Sequence, residues 1–175
     1  MSVNNQPTNM NFLSPVGYKL LLSRAPNVEF FIQRVTLPSL DLPASFQSTP
    51  FVNMPRPGNR LEFGNLTMTF KVNENLDNYR EIYNWLVALG RPQGFQQYTL
   101  QDRPSESTDE QKDTTTSDIT LTFLTSAMNG NIEFTMRDCF PLSLTDLEVD
   151  STISDIEYIT ATATFAVRDY VINKI

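Results

Sequence analysis

Histidine is missing altogether, and cysteine occurs once, as Cys139. Without imidazole there is no histidine general base, no Ser-His-Asp arrangement and no imidazole metal ligand. One thiol excludes an intramolecular disulfide and a cysteine-clustered zinc site. Glycine is scarce, at six in 175 residues, and none falls in a GxGxxG or phosphate-cradling pattern. No apolar run approaches the ~18 residues of a membrane span. The Met1–Met10 start is polar and Asn-rich, with neither a basic nor an apolar region, so no secretory signal is expected. Glu133, Asp138 and Asp169 fall on strand or strand-end positions, where a solvated carboxylate is ordinary. An enzyme is therefore not expected, and no cofactor or metal is. Cys139 reads as a small buried hydrophobe.

What is present is aromatic and acidic. Twelve Phe and six Tyr against one Trp lean toward β-structure. The length suits one domain with a proper core. The net charge of −7 is unevenly placed. Residues 1–101 hold eight basic and six acidic side chains, a balance of +2; residues 102–175 hold five and fourteen, a balance of −9. Two runs carry the excess, one over 102–118 and one over 146–157. No spacing in them matches an EF-hand loop. An acidic surface repels a phosphate backbone, which argues against a DNA-gripping protein.

Along the chain, residues 1–16 read as a flexible arm and 17–175 as a single domain. Gly17–Leu22 alternates as a short strand, and Val28–Leu37 reads as a second. Five prolines between 38 and 57 exclude a central strand and suit an extended excursion, either an irregular loop or a protruding hairpin with Phe51 and Met54 exposed. Arg60–Val72 alternates again, with a bend at Gly64. Asn73–Leu89 is the clearest helix, its apolar stripe formed by Leu76, Tyr79, Ile82, Tyr83, Leu86 and Leu89, with Trp85 off the stripe, packed at its margin or at a subunit contact. A polar loop spans 101–117. Asp118–Ala127 and Asn131–Arg137 form a hairpin about Asn129-Gly130, the strongest short hairpin signal in the chain. Phe140–Asp155 reads as a loop, and Ile156–Val171 as one long strand. That strand has Ala161, Ala163 and Phe165 on one face and Thr160, Thr162 and Thr164 on the other. Such a sheet is covered on one side and wet on the other, and the alanines leave room for a bulky cover. The expected fold is mainly β: a twisted antiparallel sheet or sandwich packed with one helix.

In this order the elements resemble the tail tube proteins of contractile-tailed bacteriophages. The resemblance rests on Gly17–Leu22 followed by Phe30–Leu37, on the strand end Arg34-Val35-Thr36-Leu37-Pro38, and on the Pro-rich excursion through Pro50-Phe51-Val52-Asn53-Met54 to Arg60. It continues in the strand-turn-helix segment from Asn65 through Asn75 into Tyr79–Leu86, and in Phe140-Pro141-Leu142 with the strand from Asp155 to Tyr170. It implies rings of six identical subunits whose sheets join edge to edge into a barrel around a channel. Rings stack into a tube, the genome passes through without specific binding, and sheath, tape-measure, baseplate and neck proteins are partners. It further implies a place in the virion tail after assembly in the host cytoplasm, with no membrane role. The alternatives are a baseplate or neck component that starts or ends the tube, and the tube of a related contractile injection system. On this reading Phe51, Val52, Met54, Arg56 and Arg60 are candidates for contact with a neighbouring subunit or ring. Thr160, Thr162 and Thr164 are candidates for the wet channel lining, with no apolar or cationic hold on a sliding polyanion. Asp146, Glu148 and Asp150 are candidates for an acidic lumen.

Overall fold

A computed structural model describes residues 11–90, 115–150, 152 and 157–175. Residues 1–10 of the expected arm and 101–114 of the expected acidic loop lie outside them. The chain forms β1 (Tyr18–Leu22), a single-turn helix α1 (Pro26–Phe30), β2 (Ile32–Thr36), β3 (Leu40–Asp41), β4 (Ala44–Ser48), β5 (Asn53–Pro57), β6 (Glu62–Phe63) and β7 (Leu66–Lys71). The helix α2 (Asp77–Gly90) follows, then β8 (Ser117–Leu124), β9 (Gly130–Leu144), β10 (Thr160–Ala166) and β11 (Asp169–Lys174).

The strand expected over Val28–Leu37 begins only at Ile32. Pro26 fixes the backbone at the start of α1. Val28 is fully buried, and Asn27 donates through its side-chain amide to Glu81 Oε1 of α2 at 2.6 Å. These tertiary contacts override the local strand preference.

Seven strands form one antiparallel sheet. Its order is β1-β8-β9-β10-β7-β2, with β11 also on β9. The fifteen-residue β9 belongs to two halves of it. Along 132–137 it pairs with β11, and along 140–144 with β10. At the corner stands Asp138, with φ +49. The segment expected to loop from Phe140 is thus strand as far as Leu144. Of the long strand expected over 156–171, Ile156 lies outside the described residues; the rest is strand only from Thr160 and is two strands, broken at Val167-Arg168 where the chain changes halves. Periodicity alone does not show such corners, because alternation persists on either side of them.

The two halves enclose one core. Leu20, Leu22, Ile119, Leu121 and Met136 face Leu66, Met68, Phe70, Ala161, Ala163 and Phe165 in a single cluster with Ile82 and Trp85 of α2. Trp85 is 3% exposed and its ring lies 5.8 Å from that of Phe165. The helix is therefore turned from its expected stripe: Asn78, Ile82, Trp85 and Ala88 are the buried residues, while Leu76 and Tyr83 are exposed. Asn78 tolerates burial because its amide donates to the Lys71 carbonyl at 2.7 Å and its oxygen accepts from the Asn73 and Tyr79 backbone N–H groups.

The Pro-rich excursion is a protruding hairpin. β3 pairs β6 at its base, and β4 pairs β5 beyond it, from Ala44–Pro57 to Ser48–Asn53. Every residue of β4 and β5 is exposed. The bend at Gly64 is a close backbone approach. A Cβ there would lie 2.5 Å from Ser39 Oγ, and Gly64 N–H donates to the Ser39 carbonyl at 2.9 Å.

Candidate assembly surfaces

The half of the sheet built from β2, β7, β10 and the end of β9 has two unlike faces. Residues directly opposed on paired strands point to the same side. Val35, Met68, Ala163 and Leu144 form one such row, on the core side. On the other side, Thr36, Thr67, Thr164 and Ser143 form a row, and Arg34, Thr69 and Thr162 form the next. Lys71 stands opposite Thr160 in the last row. The Thr69 and Thr162 hydroxyls share a hydrogen bond of 3.1 Å. Thr145 extends the ladder: its N–H donates to the Thr162 carbonyl, and its Oγ1 accepts from Thr162 N–H, both at 2.9 Å. The expected threonine row is thus one column of a wider hydroxyl-rich face. Arg34 and Lys71 share that face, and the strand residues described on it include no carboxylate. The Lys71 ammonium lies 4.6 Å from the centre of the Tyr158 ring. Sequence reading did not gather these cations with the threonines, although Thr67-Met68-Thr69-Phe70-Lys71 repeats the alternation of β10.

This half-sheet also has two open borders. Among the described residues, β2 pairs only with β7, and residues 140–144 pair only with β10. Backbone donors and acceptors on the outward sides of these strands therefore lack a strand partner, the condition that invites pairing with another chain. Phe140 and Leu142 are exposed beside one border.

The remaining candidates fall on two separate surfaces. Phe51, 98% exposed, and Val52 sit at the hairpin tip, where Thr49 N–H donates to the Val52 carbonyl at 3.2 Å. Met54 and Arg56 stand on β5; Arg60 lies beyond the β4–β5 ladder and is exposed too. Asp146, Glu148 and Asp150 are exposed on the segment that follows β9. The Asp150 carboxylate accepts from Thr152 N–H at 2.8 Å and Oγ1 at 2.7 Å, and these bonds hold its pKa below the usual value. Cys139 is fully buried. Burial, with the carboxylates of Asp118 and Asp138 nearby, pushes its thiol up to about 12. No group of three or more His, Cys, Asp or Glu placed to hold a metal occurs among the described residues. No helix among them is long and apolar enough to cross a membrane.

No family model and no curated protein sequence matches the chain. Solved structures do. A chain of the PVC sheath-tube complex of an extracellular contractile injection system, in its extended state, superposes with a TM-score of 0.62 at 12% identity, over 95% of both chains. A chain of the anti-feeding prophage tube-terminating cap gives 0.64 at 13% identity over the whole of both. A chain of the anti-feeding prophage baseplate gives 0.56 at 15% identity, over 89% of this chain and 90% of that one. The fold is accordingly the mostly antiparallel, tail-tube-like fold found in tube, cap and baseplate assemblies of contractile machines.

Proposed function

We propose that the chain is a structural subunit of the inner tube of a contractile bacteriophage tail. Six copies close a ring, rings stack, and the channel passes the genome during ejection. One observation carries the reading: a four-stranded half-sheet, hydroxyl-rich on one face and core-packed on the other, with both borders unpaired among the described residues. In the ring, β2 of one copy pairs with residues 140–144 of the next, which removes both open edges at once. The hydroxyl face then lines the channel, with Thr160, Thr162 and Thr164 in its wall and the acids Asp146, Glu148 and Asp150 near one end. The hairpin reaches a neighbouring ring through Phe51, Val52, Met54, Arg56 and Arg60. A two-stranded hairpin with every strand residue exposed is marginal by itself, which favours a docked state. Sheath, tape-measure, baseplate and neck proteins are the implied partners.

A second reading, a subunit that caps or terminates the tube, is favoured by the full-length likeness to the anti-feeding prophage cap chain. Electron microscopy of the purified full chain tests both. Open-ended tubes support the tube subunit; single rings that never extend support the cap; a dispersed monomer under all conditions overturns both.

A further inference from the structure

We infer that the hydroxyl face is a weak, salt-sensitive binding surface for duplex DNA. This rests on the reading that the face lines the channel. The chain carries a net charge of −7, yet the described strand residues of this face carry Arg34 and Lys71 and no carboxylate. The exception is confined to these strand rows, since Asp146, Glu148 and Asp150 lie beyond them on the segment that follows β9. The two cations are neighbours: Arg34 opposes Thr69, and Lys71 lies two residues along the same strand and the same side. Closing a ring of six repeats the pair around the bore. Duplex DNA presents a phosphate charge about every 1.7 Å, so such a band attracts it by releasing counterions. Thr164, and whichever of Thr69 and Thr162 accepts in their shared hydrogen bond, supply hydroxyl donors to phosphate oxygens without reading sequence. Lys71 is held over Tyr158 and stands beside the threonines as a fixed charge. Phe140 and Tyr158 stand at the ends of the threonine rows and not between them, and a duplex offers no unstacked base to a ring, so the hold is electrostatic and permits sliding. The face thus departs from a purely repulsive lining: it draws the polyanion in and lets it move.

The test is to polymerise the full chain with a short linear duplex or with a covalently closed plasmid too wide to thread, and to sediment the tubes. Linear duplex should pellet with tubes at about 50 mM salt and fall by at least about tenfold at about 200 mM. The plasmid should stay in solution. Arg34→Gln with Lys71→Gln should lower duplex retention at low salt about tenfold; if that double variant does not polymerise, Lys71→Gln alone should lower it in part. Thr160→Arg should raise it. Equal retention by wild type and the cation-free variant, no retention at low salt, or capture of the plasmid as well overturns the inference. A map of the same tubes separates the two layers. With Thr162 at the outer surface, the channel reading falls and the inference with it; with Thr162 at the bore and no duplex held, the inference alone falls.

Discussion

The Arg168 guanidinium pairs with the Asp138 carboxylate at the corner where β9 and the β10–β11 turn each pass from one half of the sheet to the other. Asp138 sits in β9 at the point where that strand exchanges β11 for β10, and Arg168 lies in the turn between β10 and β11. Asp138 Oδ1 also accepts from Thr116 Oγ1 at 3.3 Å, and its N–H donates to Asp118 Oδ1 at 3.1 Å. One residue thus ties the bend of β9 to β8 and to the β10–β11 turn. The corner fixes how the hydroxyl-rich half-sheet is presented relative to the rest of the molecule.

Asp138 has φ +49, a conformation that a short polar residue or glycine tolerates and a bulky one does not. Asp138→Leu is expected to destabilise by about 1–2 kcal/mol through backbone strain. Asp138→Gly loses only the ion pair and hydrogen bonds. Because Arg168 is largely exposed, that loss stays within about 1 kcal/mol. Denaturant titration of both variants measures the difference.

Trp85 and Tyr83 test which face of α2 is buried. Trp85→Ala removes a core ring against Phe165 and should cost about 3–5 kcal/mol. Tyr83→Ala, at an exposed site, should stay within about 0.5 kcal/mol. Equal costs would contradict the rotation of the helix described above.

The thiol of Cys139 has a folded pKa of about 12 against an ordinary value of 9.0. Between these values the unfolded chain gives up the proton first, so the folded state holds more protons. Stability therefore falls as pH rises above about 9 and is insensitive to this group below it. Denaturation midpoints of wild type and Cys139→Ala across pH 7 to about 11 should diverge only at the alkaline end. A thiol reagent at neutral pH should label Cys139 only on unfolding.

The open border of β9 can be blocked without touching the core. Leu142 is exposed there, so Leu142→Lys should leave the monomer fold and its melting curve intact while preventing ring closure. Deleting Phe51–Pro57 should instead leave single rings or monomer and no tubes. Sedimentation velocity distinguishes these products. Tubes of wild-type length from either variant would remove that segment from the assembly contacts.

Much of this architecture was legible in the sequence. The alternation of Thr and Ala in β10 announced one wet and one packed face, and Asn129-Gly130 marked the turn between β8 and β9. The prolines between 38 and 57 marked the excursion, and the hairpin tolerates Pro55 and Pro57 because β5 pairs only with β4 among the described residues. What escaped was set by tertiary contact. Val28 looked like a strand residue until Glu81 and the core claimed the turn around it. Asn78 was no part of the expected apolar stripe; the Lys71 carbonyl gives its amide a partner, and the helix turns to bury it together with Trp85. Arg34 and Lys71 joined the threonines only through strand pairing, which no single segment reveals.

The most direct measurement is a cryo-electron microscopy reconstruction of the full chain after polymerisation. The account expects six copies per ring, β2 hydrogen-bonded to residues 140–144 of the adjacent copy, and Thr162 facing an open bore. A ring or particle in which those two borders stay unpaired, or in which Thr162 points away from the axis, would contradict it.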